Sequence, residues 1–216
     1  HILRDELVSA VARSRAVAAG GLVMAVETGE IIAMASVPDY DPNFPADALK
    51  KENLNRISAG TFEMGSTFKI FTTAMALDSG KVKVTDVFDT RPFRVSGFTI
   101  KEFHGKGRPL SVPEIFEYSS NVGSAREADI VGIEGHQEFL TRMGLLSRVK
   151  TELPEVATPT QPKVWKKINS MTIAFGHGVS TTPLQTAVAS AAIVNGGWYV
   201  PPTFVPRTKE EADAIK

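Results

Sequence analysis

The sequence contains no cysteine, which excludes disulfide bonds and thiolate metal sites. Its four histidines, His1, His104, His136 and His177, are scattered along the chain, and none pairs with another at the helical spacing of metal ligands. We therefore expect neither a metal site nor a cofactor.

The chain also lacks an excess of charge of either sign, because 24 Lys and Arg residues balance 24 Asp and Glu residues. A nucleic-acid-binding face normally carries a basic excess, so no nucleic-acid partner is expected. The densest basic cluster, residues 101–108, also contains Glu102. We interpret this cluster as a solvated loop.

No apolar run is long enough to span a bilayer. The chain begins at His1 and shows no signal-peptide pattern, so we expect it to be a segment of a longer protein. Hydrophobic residues make up 43% of the 216 residues and charged residues 22%. These proportions are typical of a globular domain with a real core.

Periodicity and capping signals predict one helix, then a β-hairpin, and then several more helices. The helices are expected at residues 2–19, 66–79, 113–118, 126–130, 135–143 and 183–194, with Ser111 and Thr182 as N-caps. The hairpin is expected at residues 22–26 and 31–35. Short strands are expected at 84–88 and 98–103, a loop at 153–163 and an extended segment at 198–205.

The first candidate for chemistry is the run Gly65-Ser66-Thr67-Phe68-Lys69. Residues three apart on a helix share a face, so Lys69 can accept the proton of the Ser66 hydroxyl if burial keeps its amine neutral. The start of a helix also offers unpaired N–H groups to a developing oxyanion. Serine as an ordinary N-cap and lysine as an ordinary helix residue remain the alternative.

The same S-x-x-K spacing occurs a second time, from Ser147 to Lys150, so it is weak by itself. A second motif, Ser119-Ser120-Asn121, is the only S-x-N of the chain. There a hydroxyl can relay a proton, and a carboxamide can bind both an ammonium and a carbonyl. A polar turn or a helix cap also suits these residues.

Together the two motifs resemble the S-x-x-K and S-x-N pair of serine acyl-transferases, and their flanks resemble class B penicillin-binding proteins. The similar runs are residues 27–36, 41–43, 55–56, 62–66, 119–123, 175–178 and 181–185. The resemblance covers nearly the whole chain in order. It implies a mixed α/β fold of the α+β type, the penicillin-binding-protein/β-lactamase-like transpeptidase fold, in which helices cover both faces of an antiparallel sheet that is incomplete in this chain.

The third motif of that family, K-[ST]-G, is missing from the sequence. The nearest string, Lys150-Thr151-Glu152, has glutamate where the family needs a glycine, and it stands too early in the order. We therefore expect residues 1–216 to be a partial transpeptidase domain, with the third motif and later strands beyond residue 216 and an anchor and a pedestal upstream. Losing one oxyanion donor costs about 10²–10³ in rate, so the isolated chain is expected to acylate poorly.

The resemblance implies a peptidoglycan D,D-transpeptidase that acts on D-Ala-D-Ala stem peptides and is acylated by β-lactam antibiotics. Ser66 would be the nucleophile, Lys69 the base, Ser119 a proton relay and Asn121 a positioning group. The parent protein would be held by an N-terminal transmembrane helix at the periplasmic face of the bacterial inner membrane. Its expected partners are cell-wall synthesis or divisome proteins.

Two other functions remain open on the same fold. A β-lactamase would need a base that activates the deacylating water, and residues 153–163, which include Glu155, show no convincing motif of that kind. A β-lactam sensor would be acylated at Ser66 without turnover. A purely structural fragment is a third alternative, because the third motif is absent.

Overall fold

A computed structural model describes all 216 residues of the chain. Its α-helices are α1 (Ile2–Ser14), α2 (Lys69–Asp78), α3 (Val112–Glu117), α4 (Asn121–Val131), α5 (Ile133–Arg142), α6 (Lys167–Ile173), α7 (Pro183–Val194) and α8 (Lys209–Asp213). Its strands are β1 (Ala19–Met24), β2 (Ile31–Val37), β3 (Val87–Phe88), β4 (Phe93–Val95), β5 (Phe98–Ile100) and β6 (Leu110–Ser111). Short 3-10 helices span Pro45–Leu49, Lys51–Asn53 and Gly65–Phe68. None of the helices combines the length and apolar character that crossing a membrane requires.

These elements form two compact units, each of which gathers separate parts of the chain. The first comprises residues 1–62, 147–159 and 181–216, and the second comprises residues 63–146 and 160–180.

The first unit is built on the predicted hairpin, in which β1 and β2 pair antiparallel with Ala19 opposite Val37. Helix α1 covers one face of the hairpin, where Leu3 and Leu7 lie against Gly21. Because successive residues of a strand point to opposite faces, the neighbouring Leu22 faces the other way.

The opposite face of the hairpin packs on the core of the first unit. Leu22 and Met24 of β1 contact a buried apolar cluster, and full burial of one such aliphatic side chain contributes about 1.5–3 kcal/mol. The cluster consists of Ile57, Val149, Val156, Leu184 and Val188. Two of these residues belong to α7, so helices cover both faces of the hairpin, as the sequence predicts.

The helix predicted over residues 2–19 is shorter in the structure. It ends at Ser14, and Arg15 takes the left-handed conformation with φ 52°. Gly20 and Gly21, interpreted from the sequence as a helix stop, lie inside β1 instead. A Cβ at Gly20 would lie 2.7 Å from Ile57, so the glycine permits close packing rather than marking a turn.

The second unit is organised around α4, which contacts α2, α3, α5 and α6. Its buried face includes Val122, Ala125 and Ala128. Gly123 brings α3 close, because a Cβ there would lie 2.5 Å from the Ile115 side chain. Two short antiparallel pairs, β3 with β6 and β4 with β5, complete the unit.

The predicted helices near residues 113 and 183 are confirmed together with their N-caps. Ser111 and Thr182 each form a capping box with the residue three positions later. The helix predicted at 126–130 is longer, because α4 begins at Asn121. Helices α6 and α8 have no counterpart in the sequence prediction, and residues 198–205 form no strand apart from a single bridge between Thr203 and Glu30.

Candidate active site

Ser66 and Lys69 lie where a 3-10 helix, Gly65–Phe68, runs into α2. The buried rings of Phe68 and Phe71 pack edge to face with centroids 5.2 Å apart, which anchors this turn in the core. Ser66 is exposed, whereas the Lys69 side chain is only 2% exposed. The hydroxyl of Ser66 makes no hydrogen bond within the chain.

The Lys69 ammonium is bound by the second predicted motif. Its Nζ donates to the Ser119 carbonyl oxygen at 2.5 Å, to Ser119 Oγ at 2.9 Å and to Asn121 Oδ1 at 2.8 Å. Burial lowers the pKa of Lys69 to about 8, and the nearby Glu102 carboxylate acts in the opposite direction. The structure therefore brings three of the four predicted site residues into direct contact, and Ser66 lies one helical turn before Lys69.

The start of α4 fixes the geometry of the second motif. Ser119 takes a left-handed backbone conformation with φ 55°, which costs a non-glycine residue about 1–2 kcal/mol. Ser120 is the N-cap, and its Oγ accepts a hydrogen bond from the Gly123 amide at 2.8 Å. Asn121 is therefore the first helical residue, and its carboxamide oxygen points to Lys69.

Glu102 also reaches this site, although the sequence interpretation placed it in a solvated loop. Its carboxylate accepts hydrogen bonds from the Ser120 hydroxyl, from the Asn121 amide at 2.8 Å and from the Val122 amide at 3.3 Å. An anion at a helix N-terminus is favourable because the unpaired N–H groups and the dipole are positive there. No local pattern signals this role, since its partners lie 18 to 20 residues away.

Comparison with known families identifies the family of the chain. A family model described as the penicillin binding protein transpeptidase domain matches residues 19–216. The chain belongs to this family.

Individual relatives support the assignment to the transpeptidase family. The chain is 41% identical over 203 residues to a protein named probable peptidoglycan D,D-transpeptidase FtsI from Caulobacter vibrioides, and the match covers 94% of this chain and 34% of that protein. It is 36% identical over 202 residues to probable peptidoglycan D,D-transpeptidase PenA from Neisseria flavescens, covering 93% of this chain and 50% of that protein. The chain thus spans about a third to a half of these relatives.

A solved structure shows the same fold. The transpeptidase domain of penicillin-binding protein 3 from Burkholderia pseudomallei, described as an apo structure, matches with a TM-score of 0.83 and 28% sequence identity. The match covers 94% of this chain and 58% of that one. The predicted mixed α/β fold of penicillin-binding transpeptidases is therefore confirmed.

The second S-x-x-K string of the chain has a different setting. Ser147 to Lys150 lies outside any helix, and both ends of the string are exposed. The carbonyl oxygen of Ser147 accepts a hydrogen bond from Gln185 Nε2 at 2.6 Å. Because Lys150 is exposed, this string offers no buried base.

A second group of contacts stabilises the turn that carries the candidate nucleophile, Ser66. Glu63 accepts a hydrogen bond from the Gly178 amide at 2.8 Å, and its other oxygen lies 3.1 Å from His177 Nδ1. The hydrogen bond from the Gly178 amide, and to a lesser extent the one with His177, hold the pKa of Glu63 below its ordinary value. Gly176 approaches so closely that a Cβ would lie 1.8 Å from the Gly65 carbonyl oxygen. The two runs that flank the motifs in the sequence thus meet beside Ser66.

Proposed function

We propose that this chain carries the acylation centre of a serine-type peptidoglycan D,D-transpeptidase. The observation that carries the proposal is the buried Lys69 nitrogen, held between Ser119 and Asn121 one turn from an exposed Ser66. A lysine with a pKa near 8 is neutral in about one molecule in ten at pH 7. It is therefore available as a general base under physiological conditions.

In the first half-reaction, Ser66 Oγ attacks the carbonyl carbon of the penultimate D-Ala of a stem peptide. The hydroxyl proton passes to neutral Lys69 as the new C–O bond forms. Backbone N–H groups at the start of the helix stabilise the oxyanion. The intermediate then expels the terminal D-Ala, whose amine takes its proton from Lys69 through the Ser119 hydroxyl.

In the second half-reaction, an amine from a neighbouring stem peptide attacks the acyl-enzyme. The amine loses its proton to Lys69 as the new amide bond forms, and Lys69 passes that proton to Ser66 Oγ as the ester bond breaks. Asn121 orients Lys69 through its carboxamide oxygen, and its NH₂ group is a donor for the substrate carbonyl. A β-lactam follows the first half-reaction only, because its acyl-enzyme hydrolyses slowly.

The domain organisation is also part of the proposal. The chain contains no K-[ST]-G sequence, and it spans 34% of the Caulobacter relative. We propose that residues 1–216 form part of a transpeptidase domain, with the third motif and later strands supplied by chain beyond residue 216. Sequencing of the complete gene tests this directly, and a parent protein without that motif would contradict it.

For the parent protein we propose a membrane anchor upstream of this segment and a location at the periplasmic face of the inner membrane. Its partners would be cell-wall synthesis or divisome proteins, and the name FtsI of a relative supports a role in division. Fractionation of cells that express the tagged full-length protein tests the location. Recovery in the cytosolic fraction would contradict it.

Release of D-Ala from a synthetic pentapeptide stem tests the reaction. We expect the full-length protein to release D-Ala and to join the acyl group to an added amine acceptor, whereas Ser66→Ala does neither. Penicillin binding without any D-Ala release would favour a sensor. Rapid turnover of penicillin would favour a β-lactamase.

A further inference from the structure

Glu102 joins the loop after β5 to the first turn of α4. Its two carboxylate oxygens accept hydrogen bonds from three donors, namely the Ser120 hydroxyl, the Asn121 amide and the Val122 amide. An ionised carboxylate suits these contacts because it only accepts hydrogen bonds. The side chain is half-buried, and hydrogen bonds are stronger in the lower dielectric of a protein than in water.

These contacts act on the residues that surround the candidate base. Ser119, in its left-handed conformation, directly precedes Ser120, and Asn121 directly follows it. Strained backbone of this kind persists only where its flanks are fixed. Glu102 fixes the flank on the helix side, while on the other side the Tyr118 amide donates to the Glu114 carbonyl oxygen at 2.9 Å.

We propose that Glu102 is a positioning residue of the acylation reaction, whose carboxylate holds Ser119 and Asn121 in place around Lys69. This inference rests on the proposed function. Glu102 would touch neither substrate nor the reacting atoms, and it would act through the first turn of α4.

Charge gives Glu102 a second effect on the same site. It is the carboxylate that favours the ammonium form of Lys69 and opposes the effect of burial. Arg91 and Lys101 line the same cavity as Glu102. Removing the charge while keeping the side-chain shape should lower the pKa of Lys69 further.

Substitution of Glu102 by glutamine or by aspartate separates the effect of its hydrogen bonds from the effect of its charge. Glu102→Gln keeps the length but replaces one acceptor oxygen with a donor NH₂ group, so it loses both the charge and at least one of the three hydrogen bonds. Glu102→Asp keeps the charge but is one methylene shorter. A matched control is Glu211→Gln, since Glu211 accepts a hydrogen bond from the Thr208 amide at the start of α8 at 2.8 Å.

The test is the second-order rate constant for labelling of the full-length protein with a fluorescent penicillin between pH 6 and 9. Circular dichroism confirms folding, and Ser66→Ala runs in parallel. For Glu102→Gln we expect the rate constant at the high-pH plateau to be at least tenfold lower. The rising part of the pH–rate profile, its acid limb, should move to lower pH by about half a unit or more. Glu102→Asp should recover part of the plateau rate, and Glu211→Gln should match the wild type.

Wild-type rates in Glu102→Gln at every pH would overturn the inference, as would an equal loss in Glu211→Gln. Glu102→Gln could also label more slowly without any shift of its pH–rate profile, while Glu102→Asp recovers none of the rate. That result would indicate a structural role and would also overturn the inference. If Glu102→Gln does not fold, Glu102→Asp replaces it, because it keeps the charge but moves the carboxylate away from its three donors, and it too must slow labelling. Equal labelling of Ser66→Ala and the wild type would instead refute the proposed function.

Discussion

The pH dependence of acylation tests whether Lys69 is the general base. The perturbation is a titration from pH 6 to pH 9, together with the variants Lys69→Arg and Lys69→Met. Arginine stays protonated throughout this range, and methionine has no proton acceptor of comparable strength. Methionine is also unbranched, so it fits the buried position of Lys69 better than most residues do.

The expected change of the acylation rate with pH follows from the pKa of Lys69, which burial lowers to about 8. With that value, the neutral fraction is about 1% at pH 6, about 10% at pH 7 and about half at pH 8. An unshifted lysine would be about 300-fold less often neutral at pH 7. The rate constant should therefore rise about tenfold from pH 6 to pH 7 and level off above pH 8.

The variants are expected to lose most of the rate at every pH. Removal of a general base costs about 10²–10⁴ in rate. Stopped-flow labelling of the full-length protein with a fluorescent penicillin measures both effects. A flat profile from pH 6 to pH 9, or a Lys69→Arg rate within tenfold of the wild type, would refute the assignment of Lys69 as the base.

Two further predictions concern the framework of the site. Burial raises the pKa of Glu127 to about 7; because the folded state holds this proton more tightly, the wild type should lose stability as the pH rises from 4.5 through 7. The free energy of unfolding of Glu127→Gln, measured with denaturant, should therefore rise by about 3 kcal/mol relative to that of the wild type between pH 4 and pH 8. The same difference between the two proteins at both pH values would contradict this. Gly176→Ala should lower both the melting temperature and the rate of penicillin labelling, because its Cβ would lie 1.8 Å from the Gly65 carbonyl oxygen. The control Gly178→Ala, whose Cβ would have its nearest neighbour at 3.6 Å, bears only the backbone cost of a positive φ, about 1–2 kcal/mol. Equal losses in the two variants would therefore count against the close approach.

Local sequence signals predicted the elements that carry the site. Thr182 starts a helix because its hydroxyl accepts a hydrogen bond from the Gln185 amide, and Ser111 starts one because its amide donates to the Glu114 carboxylate. Both interactions are confined to one turn. The helix that holds Lys69 follows from its apolar pattern, although its first turn is a 3-10 helix rather than an α-helix. The contact of Lys69 with Ser119 and Asn121 required the family resemblance, since 50 residues separate the partners. The catalytic roles of these residues stay predictions.

Long-range packing accounts for what the sequence did not predict. Gly20 and Gly21 have the composition of a helix stop, but contacts with Ile57 and Leu3 place them in a strand. Glu102 lies in a charged run that has no local order of its own, and only folding brings it to the start of α4. Helix α6 follows a proline-rich loop and has only seven residues, so its periodic signal is weak.

The central claim is that Ser66 is the nucleophile, and mass spectrometry of the penicillin-treated full-length protein tests it most directly. We expect a single covalent adduct on the tryptic peptide of residues 57–69, which contains both Ser58 and Ser66. The adduct should be absent from Ser66→Ala and present in Ser58→Ala. An adduct of equal yield in Ser66→Ala, or one located on another peptide, would contradict the claim.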